Sequence, residues 1–313
     1  MGLPVSGGTV FLPFLSDAWR FSTLNRKLVR ERIRAYSAEP HASPLFVFGN
    51  QKSGTTAIAA LLAAATGQTA TLDFAGAKEP YASRLYRGDI ALEDFIRHNA
   101  WAFSTGIVKE PALTFVAPQL MSQFPGARAI LIVRDPFDNI RSILDRLRLA
   151  GDKPSLDAKG KAINPTWRAI LNGSQLGGAD VHCVSNLARR WLRAATICGA
   201  DDDRITIVRY EDFNTDKAAT IERLAKAAGL PLRQDVSHLV DHAFQRRAEK
   251  RTLSARQYFG AENFARIESI CGEAALSLGY ETPAKSDDGV VPAESTNKKR
   301  APVHGLRPIP AHS

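Results

Sequence analysis

Short apolar runs alternate with amphipathic stretches along most of this chain. Leu45 to Gly49 is an apolar run that enters a Gly/Ser/Thr turn, and Thr55 to Thr66 is an Ala-rich stretch that Gly67 closes as a helix stop. The alternation continues with apolar Gly106 to Val108, a helix near Pro118 to Phe124, a strand at Ala129 to Val133 and a helix from Pro136 to about Leu149. In that helix Ile140, Ile143, Leu144 and Leu147 recur at helical spacing, so one stripe faces a core. Its start is marked by Asp135 as cap, Pro136 at the first position and Asp138 at the positive end of the dipole. A helix at Val184 to Cys198, a strand at Arg204 to Val208 and helices at Lys217 to Ala228 and Ala261 to Leu278 complete the body. Strands that alternate with helices predict an α/β fold, a parallel sheet flanked by helices, in a single domain over residues 44–281.

Three stretches break the alternation. Residues 1–43 form an N-terminal extension in which Arg20 to Tyr36 carries six basic side chains around Leu24, Leu28, Val29, Ile33 and Tyr36. This reads as a basic, partly amphipathic helix, with a solvated face favoured over contact with a membrane surface. Gly151 to Asp180 is rich in Gly, Asn, Asp and Lys and reads as a lid or binding loop. Residues 282–313 hold five of the 17 prolines, the Lys298-Lys299-Arg300 cluster and few large apolar residues, so they read as a disordered tail.

Composition narrows the class. Apolar residues make up 44% of the 313 and charged residues 23%, which excludes collagen-like and wholly disordered chains, and no apolar run is long enough to span a bilayer. Cys183, Cys198 and Cys271 lie far apart and form neither a metal pair nor an even disulfide set. Met1 to Leu15 is apolar around Val10 to Leu15 but lacks the basic region and cleavage site of a secretory signal, and the expectation is a cytoplasmic protein. A net charge of +9 predisposes the surface to anions without choosing among nucleotides, sulfated glycans, nucleic acid and acidic lipid.

The candidate chemistry starts at Gly49-Asn50-Gln51-Lys52-Ser53-Gly54-Thr55-Thr56, between a buried strand and a helix. There, successive backbone amides and a helix N-terminus can bind a phosphate oxyanion. Lys52 precedes Gly54, whereas the lysine of the NTP-binding loop follows its last glycine, so this is not that loop. The segment resembles the sulfotransferases that use 3′-phosphoadenosine 5′-phosphosulfate (PAPS), whose 5′-phosphosulfate loop reads Lys-Ser-Gly-Thr-Thr. A second element fits. Arg134 follows the strand Ala129 to Val133 and Ser142 lies eight residues on, which is the family's spacing for the 3′-phosphate, although Arg134-Asp135-Pro136 alone reads equally as a helix cap. Arg209-Tyr210-Glu211-Asp212-Phe213 and Leu278-Gly279-Tyr280 also look like the family, so the resemblance covers about residues 45–281.

The resemblance implies a P-loop-type sheet and a bacterial-type enzyme moving sulfuryl from PAPS to a hydroxyl or amine without a metal. It also implies donor contacts from Lys52, Ser53, Gly54, Thr55, Thr56, Arg134, Ser142, Tyr210 beside the adenine and Arg256 closing over the nucleotide. A packed Tyr210 and a solvated Arg256 are the alternatives. There are departures from the family. Ala57 stands where many members have an adenine-stacking Trp, and Lys109-Glu110-Pro111-Ala112 stands where the small-molecule enzymes have Lys-Thr-His. Glycosaminoglycan-type members instead use a Glu after the phosphate-loop helix and show a Lys-x-Pro-Ala segment. Lys78-Glu79-Pro80 occupies the former stretch and Lys109 to Ala112 resembles the latter, which tilts the acceptor toward a carbohydrate.

Glu79 is therefore the expected base, Glu110 the runner-up, Lys52 the stabiliser of the leaving phosphate, and Lys109 either an orienting cation or a charge partner. His238 and His242 lack a third ligand and read as a solvated face. Two other classes compete: a P-loop kinase or NTPase, which the position of Lys52 disfavours, and a noncatalytic polyanion-binding protein. No specific nucleic acid is expected, the acceptor is a small molecule or a glycan, and Lys153, Lys159, Lys161 and Arg168 are candidate contacts to an anionic one. Neither the acceptor's identity nor the oligomeric state is readable.

Overall fold

The structure is a computed structural model that describes residues 23–153, 163–178, 180–198, 202–240 and 253–281. Strands β1 (Leu45–Gly49), β2 (Ala70–Leu72), β3 (Ile107–Lys109), β4 (Arg128–Val133) and β5 (Ile205–Arg209) form one sheet in the order β2-β3-β1-β4-β5. Every pairing is parallel. Parallel neighbours need crossover connections, so helices cover both faces and the central strands must be apolar throughout. Successive side chains then divide between two cores. Leu45 and Val47 pack with Ile58, Leu61, Ile130 and Ile132 on one face, whereas Phe46 and Phe48 pack with Phe103, Phe124, Leu131 and Ile140 on the other.

The helices expected from periodicity form at Thr55–Thr66, Ala117–Gln123, Pro136–Leu147, Cys183–Thr196 and Lys217–Ala227. Ile140, Ile143 and Leu144 are buried, and Asp135 caps its helix by accepting from the Asp138 amide at 2.9 Å. Strand β2 has no signal of its own. It is a three-residue edge strand with an exposed Leu72, held by pairing of Ala70, Thr71 and Leu72 with Ile107, Val108 and Lys109. All three cysteines are buried and free.

One expectation changes and two gain detail. The segment Gly151 to Asp180 is not a continuous loop, because it contains the helix Pro165–Leu171 and a 3₁₀ turn at Ser174–Leu176. Its loop-like composition belongs to the Asn164 cap, which accepts from the Trp167 amide at 3.0 Å, and to Gly173 and Gly177, whose left-handed backbones bracket the turn. The helix expected from Ala261 forms beyond Gly260, whose non-helical backbone (φ 67°, ψ 168°) separates it from a preceding short helix that starts at Ala255 behind a Ser254/Gln257 capping box. The basic N-terminal helix, Thr23–Ala35, keeps the solvated face expected of it and docks by the opposite one. Its Glu31 is buried and accepts from the Ala75 amide at 2.7 Å, whereas Val29, Ile33 and Tyr36 from its apolar pattern are exposed. Lys159, Lys161, His242 and the proline-rich tail lie outside the described residues.

Candidate active site

The loops that leave the carboxyl ends of β1, β3, β4 and β5 converge at one edge of the sheet, the place where open α/β sheets collect ligands. After β1 the chain turns through Gly49 (φ 149°), Lys52 (φ 69°) and Gly54 (φ 92°) into the helix Thr55–Thr66. A left-handed Lys is costly and persists only where its surroundings hold it. Four side chains do so. Arg134 Nη1 donates to the Lys52 carbonyl at 2.9 Å, and Asn139 Nδ2 donates to the Gln51 carbonyl at 2.9 Å and to Ser53 Oγ at 3.0 Å. Asn50 Nδ2 donates back to Asn139 Oδ1 at 2.9 Å. Thr114 Oγ1 accepts from the Gly49 amide at 2.9 Å and donates to its carbonyl at 3.2 Å.

Tyr210 closes the loop from β5. A Cβ at Gly54 would lie 2.6 Å from the ring, so only glycine fits beneath it. The Arg134 guanidinium stacks on the same ring, 4.5 Å from its centroid. The neighbours of Tyr210 have different work: Arg209 donates to the Gly279 carbonyl at 2.9 Å, and Glu211 accepts from the Asp135 amide at 3.0 Å and from Tyr280 Oη at 2.9 Å. The segment therefore ties β5 to the end of the last helix and to the start of helix Pro136–Leu147, while Tyr210 alone faces the phosphate loop.

The loop is strongly cationic. Burial lowers the Lys52 ammonium below its usual range, and the guanidinium groups of Arg146 and Arg134 push it further the same way. Positions 138, 142 and 146 repeat every fourth residue on helix Pro136–Leu147, so Ser142 lies on the face that also presents Arg146. Arg146 is a contributor that the sequence reading missed, and its signal was this spacing. Against these cations stands Asp138, 3.9 Å from Arg134 and half exposed.

The acceptor-side candidates sit differently. Glu110 is buried and fully engaged: it accepts from Lys78 Nζ at 2.9 Å, from the Phe74 amide at 3.4 Å and, as a cap, from the Ala112 amide at 3.2 Å. Burial opposes the charge on Lys78, but Glu110 and Asp73 beside it outweigh that and raise its pKa. Lys109 is buried and donates to Asp73 Oδ1 at 2.7 Å. Glu79 is half-buried, and Oε1 accepts from two neutral donors, Ser83 Oγ at 2.8 Å and Gln175 Nε2 at 2.7 Å.

Through Gln175 the Glu79 carboxylate is wired to the phosphate loop. Arg190, 2% exposed, donates from Nη1 to Gln175 Oε1 at 2.7 Å and from Nε to Gln51 Oε1 at 3.0 Å. Burial lowers its pKa to about 10, against the opposing pull of Tyr86 and Glu79. Asn139, Gln175 and Arg190 carried no motif, and only the packed fold identifies them, whereas Gln51 belongs to the loop motif itself. Arg256 stacks its guanidinium 4.6 Å from the Phe264 ring centroid, and Phe264 in turn stacks on Phe137. Among the described residues no group of His, Cys, Asp and Glu could hold a metal ion, and no helix is long and apolar enough to cross a membrane.

The profile of the sulfotransferase family matches residues 69–235, just over half of the chain. The chain belongs to the sulfotransferase family. Similar solved structures include sulfotransferase STF9 from Mycobacterium avium, 16% identical over 82% of this chain and 83% of that one, with a TM-score of 0.48. STF1 from Mycobacterium tuberculosis H37Rv is 15% identical over 80% and 81%, with a TM-score of 0.45. Mouse sulfotransferase SULT7A1, crystallised with 3′-phosphoadenosine 5′-phosphate (PAP), is 15% identical over 86% and 92%, with a TM-score of 0.44. No curated protein matches the sequence. The family match begins after the phosphate loop, so that loop's role rests on its own geometry.

Proposed function

We propose that this sulfotransferase takes its sulfuryl group from PAPS and passes it to an acceptor hydroxyl or amine, with Glu79 as general base. The observation that carries the reading is the convergence of Lys52, Arg134, Arg146 and Tyr210 on one glycine-bounded loop. Three like charges held together raise one another's energy, and an anionic ligand relieves that cost. A donor with phosphates at both ends of its ribose suits the arrangement. Lys52 and the amides of Ser53 to Thr56 suit the 5′ side, Arg134 and Ser142 the 3′-phosphate, and Tyr210 presents a ring to the base.

In transfer, the acceptor oxygen or nitrogen forms its bond to sulfur as the bond from sulfur to the 5′-phosphate oxygen breaks. Glu79 takes the acceptor proton, and Lys52 neutralises charge on the departing phosphate. The hydrogen bonds from Ser83 and Gln175 orient the Glu79 carboxylate and leave Oε2 for the acceptor. Glu110 suits the role less, because both its oxygens are engaged. Lys109, paired with Asp73, supports the β3 end and acts on the acceptor only through that pair. A carbohydrate hydroxyl or amine remains the favoured acceptor, and the reaction needs no metal.

The test is thermal unfolding with PAP in the absence of divalent cations. Millimolar PAP should raise the midpoint by mass action, since a ligand at about 100 times its Kd adds about 2.7 kcal/mol. A flat response would remove the donor assignment.

A further inference from the structure

The N-terminal helix Thr23–Ala35 presents two parallel ridges outward. Val29, Ile33 and Tyr36 form one, with side chains 38%, 68% and 98% exposed. Arg26, Arg30 and Arg34 form the other, at every fourth position and likewise exposed. The helix is not loosely attached. On the opposite face Glu31 is buried against the Ala75 amide at 2.7 Å, and Arg32 lies 5.7 Å from the Tyr81 ring centroid. Glu31 is the sole acid among residues 23–35, so turning it inward leaves an outer face with cations and apolar groups and no anion.

We propose that this outer face docks on the surface of an anionic membrane. Charge complementarity selects that occupant. An apolar ridge beside a continuous cationic ridge matches an interface in which acyl chains lie just beneath negative headgroups, and neither ridge alone would suit a neutral protein surface. Tyr36, at the end of the helix, is the residue type that sits at headgroup depth. The inner face rests on Ala75 and Tyr81, which flank Lys78 and Glu79, so docking brings the acceptor side of the enzyme toward the headgroups. The surface is independent of the transfer chemistry and stands whether or not Glu79 is the base.

The test is flotation of the full chain with phosphatidylcholine vesicles carrying about one third phosphatidylglycerol, against pure phosphatidylcholine. Binding should appear on the anionic vesicles alone and should fall as salt is raised from about 0.05 M to about 0.5 M. Two double variants separate the ridges: Ile33→Gln with Tyr36→Gln removes apolar area at constant charge, and Arg30→Gln with Arg34→Gln removes charge at constant apolar area. Each should lower the bound-to-free ratio at least about tenfold, while circular dichroism melting stays within about 2 °C of wild type, because all four side chains are exposed. Absence of binding, or binding unchanged in both variants, overturns the proposal. Self-association abolished by Ile33→Gln with Tyr36→Gln, without vesicle binding, would assign the ridge to a second copy. A large loss of melting temperature in that variant, again without vesicle binding, would assign it to the chain's own residues 1–22.

Discussion

The two sides of the active site handle charge in opposite ways. Around the phosphate loop, Lys52, Arg134 and Arg146 crowd together, with Asp138 3.9 Å from Arg134. Around the ends of β2 and β3, charges come in matched pairs: Lys109 with Asp73 at 2.7 Å and Lys78 with Glu110 at 2.9 Å. Like charges brought together favour an anionic ligand, whereas buried charges are stabilised by pairing. Glu79 is the exception on the acceptor side, a carboxylate held by neutral donors. The contrast makes the loop cations and Glu79 the candidates for ligand contact without reference to motif.

The largest effect should come from breaking that contrast at the two glutamates. Glu79→Gln should bind PAPS normally and lose about 10²–10⁴-fold in single-turnover rate, since the amide cannot take a proton. Glu110→Gln should retain the transfer step while losing on the order of 1–3 kcal/mol of stability, because Lys78 and two backbone amides lose their charged partner. Denaturant unfolding beside single-turnover kinetics checks both, and the reverse pattern would make Glu110 the base.

Next in size is the donor side. Arg134→Ala should weaken PAP by about 1.5–3 kcal/mol and adenosine 5′-phosphosulfate far less, since only the former carries a 3′-phosphate. Calorimetry on both ligands reads the difference, and equal weakening would show that Arg134 serves the loop backbone alone. Thr114→Val tests the scaffold beneath it. Losing both bonds to Gly49 should cost about 1–2 kcal/mol in denaturant unfolding and loosen PAP binding, with no change in its selectivity over adenosine 5′-phosphosulfate.

A last effect, visible only in the pH dependence of stability, concerns Asp135. Burial pushes its carboxyl up to about 6, against the pull of the Asp138 amide, with the Asp138 and Glu211 carboxylates adding to the rise. A carboxyl raised on folding favours the native state fully below its ordinary value of about 4, and this contribution is lost as pH rises through about 6. Asp135→Asn keeps the cap and removes the charge. The variant should match wild type below about pH 4 and exceed it by about 2–3 kcal/mol at pH 7, measured as unfolding free energy against pH.

The sequence by itself determined the central strands of the sheet and the glycine-bounded loop after β1. Runs such as Leu45 to Phe48 are buried on both faces and can only be central parallel strands, and Lys52 to Thr56 needs a strand before it and a helix after it to work at all. Those signals are local, so they are legible along the chain. Only the tertiary structure decided β2, whose three residues become a strand by pairing with β3, and the helix within residues 151–180, whose turn residues masked it. It also decided which charges are spent. Lys109 and Glu110 look as reactive as Lys52 and Glu79 in one dimension, and their commitment to Asp73 and Lys78 spans more than thirty residues of chain. The wiring of Glu79 through Gln175 and Arg190 to Gln51 spans up to 139. Pairings at that range are set by packing, which no local spacing encodes.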